Sequence, residues 1–409
     1  MNDTAAHVVI VGAGHAGGSA AAFLRQFGWK GPITLIGAEP VMPYQRPPLS
    51  KSWLSGDSDL EKLLLRTADF YRTNAIEWRG NTTVVAIERA DRSVTLADGE
   101  RLRYDQLILA LGSIVRTLPV PGHDLRNVLA LRTIADADGL KALLSPGLRL
   151  AIVGAGYIGL EIAASARTLG ADVVVIEREA RVLPRVASEP LSAFFQRRHA
   201  ASGVRIMLNA SVEAFEGDTH ITGVRLQDGT VVACDAALIG VGAAPNDAVA
   251  RAAGLACAHG IVVDQAAATS DPLIHAIGDC TFRPLPLYRQ NARLESVPNA
   301  LEQAKQAAAT LCGRALPAPE VPWFWSDQYD VRLQIAGLPY DVADLVIRGD
   351  LSGDAFAIFH LSVDGTVQSV EAVNAPAEFM AGRLMIARRK RLLAAQLRDV
   401  SSSLKELAG

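Results

Sequence analysis

The sequence predicts an α/β chain: two repeated strand–turn–helix units followed by a smaller α+β tail. Three observations lead there. Val8-Val9-Ile10-Val11 runs straight into Gly12-Ala13-Gly14-His15-Ala16-Gly17, and an Ala-rich segment of helix-forming composition follows from Ser19 to Phe27. Ala151-Ile152-Val153-Gly154-Ala155-Gly156-Tyr157-Ile158-Gly159 repeats the same order. Beyond a linker at Pro317 to Pro322, the chain turns to short strand-like runs and terminal helical segments.

The spacing Gly-x-Gly-x-x-Gly between a strand and a helix is what a Rossmann-like dinucleotide unit requires. The first glycine allows the tight turn, the second lets the backbone approach a pyrophosphate, and the third lets helix and strand pack closely. The helix N-terminus then offers N–H groups and a positive dipole end to phosphates. One such run is a weak signal. Here both copies continue into a second strand, Ile33–Ile36 and Val173–Ile176. Two nucleotide units in one chain point to a flavin and a nicotinamide.

With 409 residues, half of them hydrophobic and a fifth charged, the chain has material for two to four globular domains. A net charge of −3 speaks against nucleic acid as a global partner. Cys234, Cys257, Cys280 and Cys312 form no C-x-x-C or C-x4-C pair. That leaves no disulfide framework, metal ligand set or redox dithiol. Met1 to His7 has no basic-then-apolar targeting pattern, and the uncharged run Val8–Leu24 is broken by the glycine turn. A soluble, cytoplasmic protein without a membrane span is the expectation.

Pro43-Tyr44-Gln45-Arg46-Pro47-Pro48-Leu49-Ser50-Lys51 is too proline-rich for helix or central strand before Leu49. Such a rigid segment could deliver the Lys51 cation to a fixed place; its composition alone equally suits an ordinary proline loop. Together with the two glycine runs, the second followed by Glu161, this segment resembles the NAD(P)H-dependent ferredoxin reductases of bacterial oxygenase systems. These are the putidaredoxin reductase and biphenyl dioxygenase reductase type, within the glutathione-reductase-like FAD flavoproteins. The resemblance runs from Val8 nearly to the C-terminus.

The resemblance implies a discontinuous FAD domain (residues 1–115 and 246–319), an inserted NAD domain (116–245) and a C-terminal α+β domain (320–409). It places Gly12, Gly14, Ala16, Gly17, Arg46, Val84, Arg132, Gly278, Asp279 and Val297 at FAD, with Lys51 beside the flavin ring and Glu161 able to pair with it. Trp325 or its neighbour Trp323 would cover the flavin; two tryptophans around Phe324 suit plain core equally. Where the family often has an acid at the end of the second strand, this chain has Gly37-Ala38-Glu39, so Ala38 offers only backbone and Glu39 is the nearest carboxylate. Leu111 replaces a usual threonine in Leu107–Ser113, a buried strand closing on glycine.

NADH would meet Gly154, Gly156, Tyr157, Ile158, Gly159, Glu161 and Gly242. Glu177 ends the strand after the second glycine run, where a carboxylate accepts both ribose hydroxyls and repels a 2′-phosphate, favouring NADH over NADPH. Arg178, Arg181 and Arg185 stand nearby and are able to bind that phosphate. Ser296 or Pro298 fits the start of an Ala- and Gln-rich helix reaching about Leu311. The remaining tail strands are expected at Val331–Ala336, Leu345–Ile347, Ala355–Leu361 and Val367–Val373.

The implied activity is electron transfer from NADH through FAD to a [2Fe–2S] ferredoxin that supplies an oxygenase. Ferredoxins are acidic, so Arg66, Arg289, Arg293 and Lys305 are candidate docking cations, whereas Arg388-Arg389-Lys390-Arg391 reads as a solvated face. No metal ligands are expected. The alternatives are an NADH-binding redox sensor resembling apoptosis-inducing factor, or an NADH oxidase. The oxidase is disfavoured because no cysteine lies between Val41 and Lys51, and a disulfide reductase because no cysteines pair.

Overall fold

The computed structural model describes residues 6–409. The chain divides into two compact units. The first takes in Met1–Gln45, of which residues 6–45 are described, with Leu60–Ile114 and Ala244–Phe324. The second takes in Arg46–Asp59, Val115–Ala243 and Trp325–Gly409.

The first unit is built on a five-stranded parallel sheet. Its order is Ile274–Ala276, Gln106–Leu109, Val8–Val11, Ile33–Ile36, Ile76–Arg79. Val8–Val11 lies at the centre, buried on both faces, which is why it reads as an unbroken apolar run rather than an alternation. One face packs against helices His15–Phe27 and Val297–Leu311. Both helices present alanines at the contact, Ala16, Ala20 and Ala21 against Ala300, Ala304, Ala307 and Ala308, and their small side chains permit close approach. The other face buries Val9, Val11, Leu107 and Leu109 against Val94, Leu96 and Leu255, with Leu111 packed at its margin. Leu111 thus serves as packing where a threonine is usual.

The second unit holds a parallel sheet of the same kind, ordered Arg205–Met207, Asp172–Ile176, Arg149–Val153, Ala236–Ile239, Val128–Leu129. A three-stranded antiparallel sheet, Val212–Gly217, Ile221–Leu226 and Val231–Ala233, closes its apolar side through Phe215, Val224 and Val232. The tail forms a further five-stranded sheet in the order Trp323–Gln328, Val331–Gly337, Val367–Val373, Phe356–Leu361, Asp344–Gly349. Helix Pro376–Ala387 follows it. The basic run after that helix is not simply solvated. The Arg388 guanidinium donates to the Ala408 carbonyl at 2.7 Å, Lys390 to that of Gly409 at 2.7 Å, and Arg391 pairs with Asp364 at 3.0 Å.

Among the described residues no helix is long and apolar enough to cross a membrane, and no cluster of His, Cys, Asp and Glu could hold a metal ion.

Candidate functional site

The two glycine turns have the same construction. Gly12 and Gly154 take φ of +107° and +105°, a region disfavoured for side-chain-bearing residues. A Cβ on Gly12 would sit 2.1 Å from the Ala110 carbonyl oxygen, and one on Gly154 2.5 Å from that of Gly240. A Cβ on Gly17 would meet the Gly12 oxygen at 1.8 Å, and one on Gly159 the Gly154 oxygen at 2.2 Å. The middle glycines differ from these. Gly14 and Gly156 would meet no protein atom within 4 Å, and each is the N-cap of the following helix without a capping side chain. The protein therefore fills the space around the outer glycines and leaves open the space at the middle one, beside a helix N-terminus. That is the shape and polarity a pyrophosphate fits, so the residues suit FAD and NAD(P)H.

In the first unit, Ala38 is exposed at the end of the second strand. The Glu39 carboxylate accepts the Tyr44 hydroxyl at 2.6 Å. Gly278, at φ +80°, lies where a Cβ would touch Ala16 at 3.0 Å, so that strand end abuts the first helix. The Gln303 amide oxygen accepts the Gly278 N–H at 2.8 Å and the Thr281 hydroxyl at 2.9 Å, and Asp279 accepts Ser113 at 3.3 Å. Gln303 is a residue sequence reasoning missed, hidden in an Ala- and Gln-rich helix. Val297 opens that helix, and Ser296 caps it by accepting the Asn299 N–H at 3.2 Å. Val84 is half-buried on an antiparallel strand of the same unit.

The second unit brings Lys51 and Glu161 together. Lys51 Nζ lies 2.6 Å from Glu161 Oε2, with Glu161 only 3% exposed. Ser50 donates its hydroxyl to the same oxygen at 2.5 Å, and Ser326 donates to Oε1 at 2.7 Å. A buried carboxylate is costly unless paired and hydrogen-bonded, and here both oxygens are met. The proline segment presents this lysine as a short 3-10 turn, Pro47–Ser50. Arg46 donates to the Arg132 carbonyl oxygen, and the Arg132 N–H reaches Asp136 at 3.0 Å. Trp325 lies half-buried on the strand that carries Ser326.

Glu177 is buried, and its carboxylate accepts the Ala155 N–H at 2.7 Å and the Glu179 N–H at 3.0 Å. Each oxygen keeps a lone pair for a further donor. Arg178 pairs with Glu179 at 3.1 Å, and Arg181 donates to the Ala187 and Pro184 carbonyls at 2.9 and 2.8 Å. Arg185 approaches Gly242, which sits at φ +103°, within 3.5 Å of where its Cβ would be. The Tyr157 hydroxyl donates to the Val186 carbonyl at 3.2 Å. Burial, then Glu371 and Glu161, pushes that phenol well above its ordinary range. Ile158 is exposed.

Of the expected docking cations, Arg66 and Arg289 are exposed, and Lys305 lies 5.7 Å over the Phe23 ring. Arg293 is turned inward, 18% exposed, pairing with Glu295 at 2.5 Å and reaching the Asp279 carbonyl at 3.3 Å. All four cysteines are free. Burial holds the thiols of Cys234 and Cys280 up at about 12, so neither is a thiolate at neutral pH.

Residues 6–304 match the model of the family described as pyridine nucleotide-disulphide oxidoreductase. The chain belongs to that family. Residues 323–408 match a second model, described as the reductase C-terminal. The probable ferredoxin reductase CtmF of Castellaniella defragrans is 51% identical over 403 residues, covering 98% of each chain. Putidaredoxin reductase CamA of Pseudomonas putida is 42% identical over 407 residues, 98% of this chain and 96% of that one. The crystal structure of the covalent putidaredoxin reductase–putidaredoxin complex superposes with a TM-score of 0.96, at 42% identity and 98% coverage of both chains. Within the family the chain is therefore one of the ferredoxin reductases of oxygenase systems, an oxidoreductase whose cofactors are FAD and NAD(P)H. The family name mentions a disulphide that this reductase does not contain among its described residues.

Proposed function

We propose that the protein transfers electrons from NADH, through FAD, to a [2Fe–2S] ferredoxin that supplies a cytochrome P450 or a ring-hydroxylating dioxygenase. The observation that carries this reading is the pair of glycine cradles with one geometry in one chain. The names of the relatives, which are reductases of ferredoxin-type partners, support the acceptor. The three-domain division at residues 116, 246 and 320 is part of the same reading, as is the cytoplasm, where NADH is available.

In this reading Gly12, Gly14, Ala16 and Gly17 hold the FAD pyrophosphate, with Gly278, Asp279, Val84, Ala38, Glu39 and Val297 as further contacts. Arg46, Arg132 and Trp325 serve the same cofactor. Gly154, Gly156, Tyr157, Ile158, Gly159 and Gly242 receive NADH. Bound flavin supplies the conversion of a two-electron donor into one-electron steps. The chain's own residues bind, orient and set the local charge. Glu177 receives the adenosine ribose through its remaining lone pairs and repels a 2′-phosphate. The engagement of Arg178 and Arg181 within their own loop supports NADH over NADPH. Lys51, fixed by Glu161, sets a cation at the reacting end. Arg66, Arg289 and Lys305 are the docking cations this reading retains, with Arg293 contributing less because Glu295 neutralises it.

Anaerobic stopped-flow absorbance of the FAD-loaded protein with NADH, then with [2Fe–2S] ferredoxins, tests the proposal. Rapid flavin bleaching followed by ferredoxin-dependent reoxidation is expected. Bleaching without transfer to any ferredoxin would overturn it in favour of a redox sensor or oxidase.

A further inference from the structure

A continuous run of buried hydrogen bonds leads away from Glu161, and its direction is dictated at every step. A carboxylate only accepts, so the Ser326 hydroxyl, 2.7 Å from Glu161 Oε1, must donate to it. Ser326 then has no proton left for Gln328, so the Gln328 amide nitrogen, 3.1 Å away, must donate to the Ser326 oxygen. That orientation turns the Gln328 carbonyl toward His199 Nε2 at 2.8 Å, and His199 must carry its proton there. Its Nδ1 is left as an acceptor, and the Tyr329 hydroxyl lies 3.3 Å from it. Every donor in the series points toward Glu161, the arrangement in which successive hydrogen bonds reinforce one another.

The surroundings fit this role. His199, Gln328 and Ser326 are each at most 1% exposed. Burial is the largest reason the His199 imidazole is held below its ordinary range; Gln328 opposes that effect and Arg198 adds to it. A neutral imidazole with a fixed tautomer is what the series needs. Tyr329 occupies the two-residue turn between strands Trp323–Gln328 and Val331–Gly337 at φ +56°, a conformation that favours glycine or asparagine. The tyrosine ring at this position is also covered by Arg198 at 5.6 Å.

We propose that His199 is a positioning residue for Glu161: acting through Gln328 and Ser326, it fixes which way the hydrogen bonds run and so keeps the Ser326 proton on the carboxylate that holds Lys51. Without the His199 donor, the Gln328 amide is free to turn its carbonyl to Ser326. The Ser326 hydroxyl then donates to the amide, and Glu161 Oε1 loses its partner. This inference rests on the reading that the Lys51–Glu161 pair serves the bound flavin.

The test compares His199→Phe, His199→Gln, Tyr329→Phe, Lys51→Met and Glu161→Gln in the FAD-loaded full chain. The readouts are the flavin midpoint potential by spectroelectrochemistry, the rate of flavin reduction by NADH and the NADH concentration dependence. His199→Phe is expected to slow reduction about fivefold or more, to move the potential in the same direction as Glu161→Gln, and to leave the NADH concentration dependence within about twofold. His199→Gln, whose amide places a donor near the Nε2 position, is expected to restore both. Tyr329→Phe, at a half-exposed site, is expected to give the same shift at smaller size, and it keeps the idea testable should His199→Phe not fold. If Lys51→Met and Glu161→Gln change the potential while Tyr329→Phe and a folded His199→Phe do not, the inference is wrong and the flavin reading stands. If Lys51→Met and Glu161→Gln also leave potential and rate unchanged, the flavin reading of the pair fails and this inference falls with it. Failure of His199→Gln to rescue a folded His199→Phe defect would likewise overturn it.

Discussion

The two glycine turns are near copies, and the strands that follow them are not. Gly12 and Gly154 differ by 2° in φ, and both middle glycines face open space. At the end of the next strand, however, the first unit has an exposed Ala38 and a Glu39 tied to Tyr44, while the second has a buried Glu177 anchored to two backbone N–H groups. One of those N–H groups belongs to Ala155, inside the glycine turn itself. The glycine spacing thus specifies a backbone cradle for a pyrophosphate and nothing about the rest of the nucleotide. The carboxylate that sets the two units apart lies one strand away, and in the second unit it also braces the cradle.

The comparison breaks most sharply at the glycines. Gly17→Val and Gly159→Val put a branched side chain into a carbonyl oxygen already too close for a Cβ, so each should destabilise its unit by more than about 4 kcal/mol in chemical denaturation. Gly14→Ala and Gly156→Ala, at φ of −80° and −78°, should leave stability within about 1 kcal/mol. They should still weaken binding tenfold or more, Gly14→Ala for FAD and Gly156→Ala for NADH, measured by titration. Equal stability losses at middle and outer glycines would contradict the open cradle.

A second contrast lies in the buried histidines. His199 has partners on both ring nitrogens, whereas His275, on the first unit's edge strand Ile274–Ala276, has none among the described residues. Burial pushes the His275 imidazole down to about 4. The unfolded chain therefore binds a proton near pH 6.5 that the folded one takes up only near pH 4. Stability should be unaffected above pH 7 and fall by about 3 kcal/mol as pH drops through that window. His275→Phe should flatten this dependence in urea titrations at pH 7 and pH 5; an unchanged slope would reassign the acid sensitivity elsewhere.

Glu177→Ala sharpens the comparison at intermediate size. The preference for NADH over NADPH in kcat/KM should fall about tenfold, near 1.4 kcal/mol. Loss of its two backbone bonds should also cost about 1–2 kcal/mol of stability. Glu39→Gln is the matching change in the first unit and the smallest effect. FAD affinity should move less than about threefold, because Tyr44 retains an acceptor at that position.

The features legible in the sequence are those that impose a local rule. Both glycine turns, the strand Val8–Val11, the helix start at Ser296 and the tail strands carry their own spacing or composition. Lys51 and Glu161 stood out through the proline segment and the family resemblance, and the structure places them 2.6 Å apart. Ser326, Gln328 and His199 gave no such signal. Ser326 and Gln328 are polar residues at the end of a strand that opens on tryptophans, yet they lie on its buried side. Glu161 lies 165 residues from Ser326 and His199 lies 129 from Gln328, and a single sequence holds no local trace of those pairings. Chain order also misleads for Arg46–Asp59, which clusters with the second unit although it lies between two stretches of the first.

That interleaving has a consequence in time. During synthesis the central strands of the first sheet emerge early, but the edge of Gln106–Leu109 pairs with Ile274–Ala276, 167 residues later. Until then the nascent chain carries an apolar strand with an unpaired edge, the kind of segment that other chains join. The wait closes only as the last third of the protein leaves the ribosome, so production at lower temperature, where apolar association between chains is weaker, should favour the native fold over aggregation, and slowing translation before Ile274 should do the reverse.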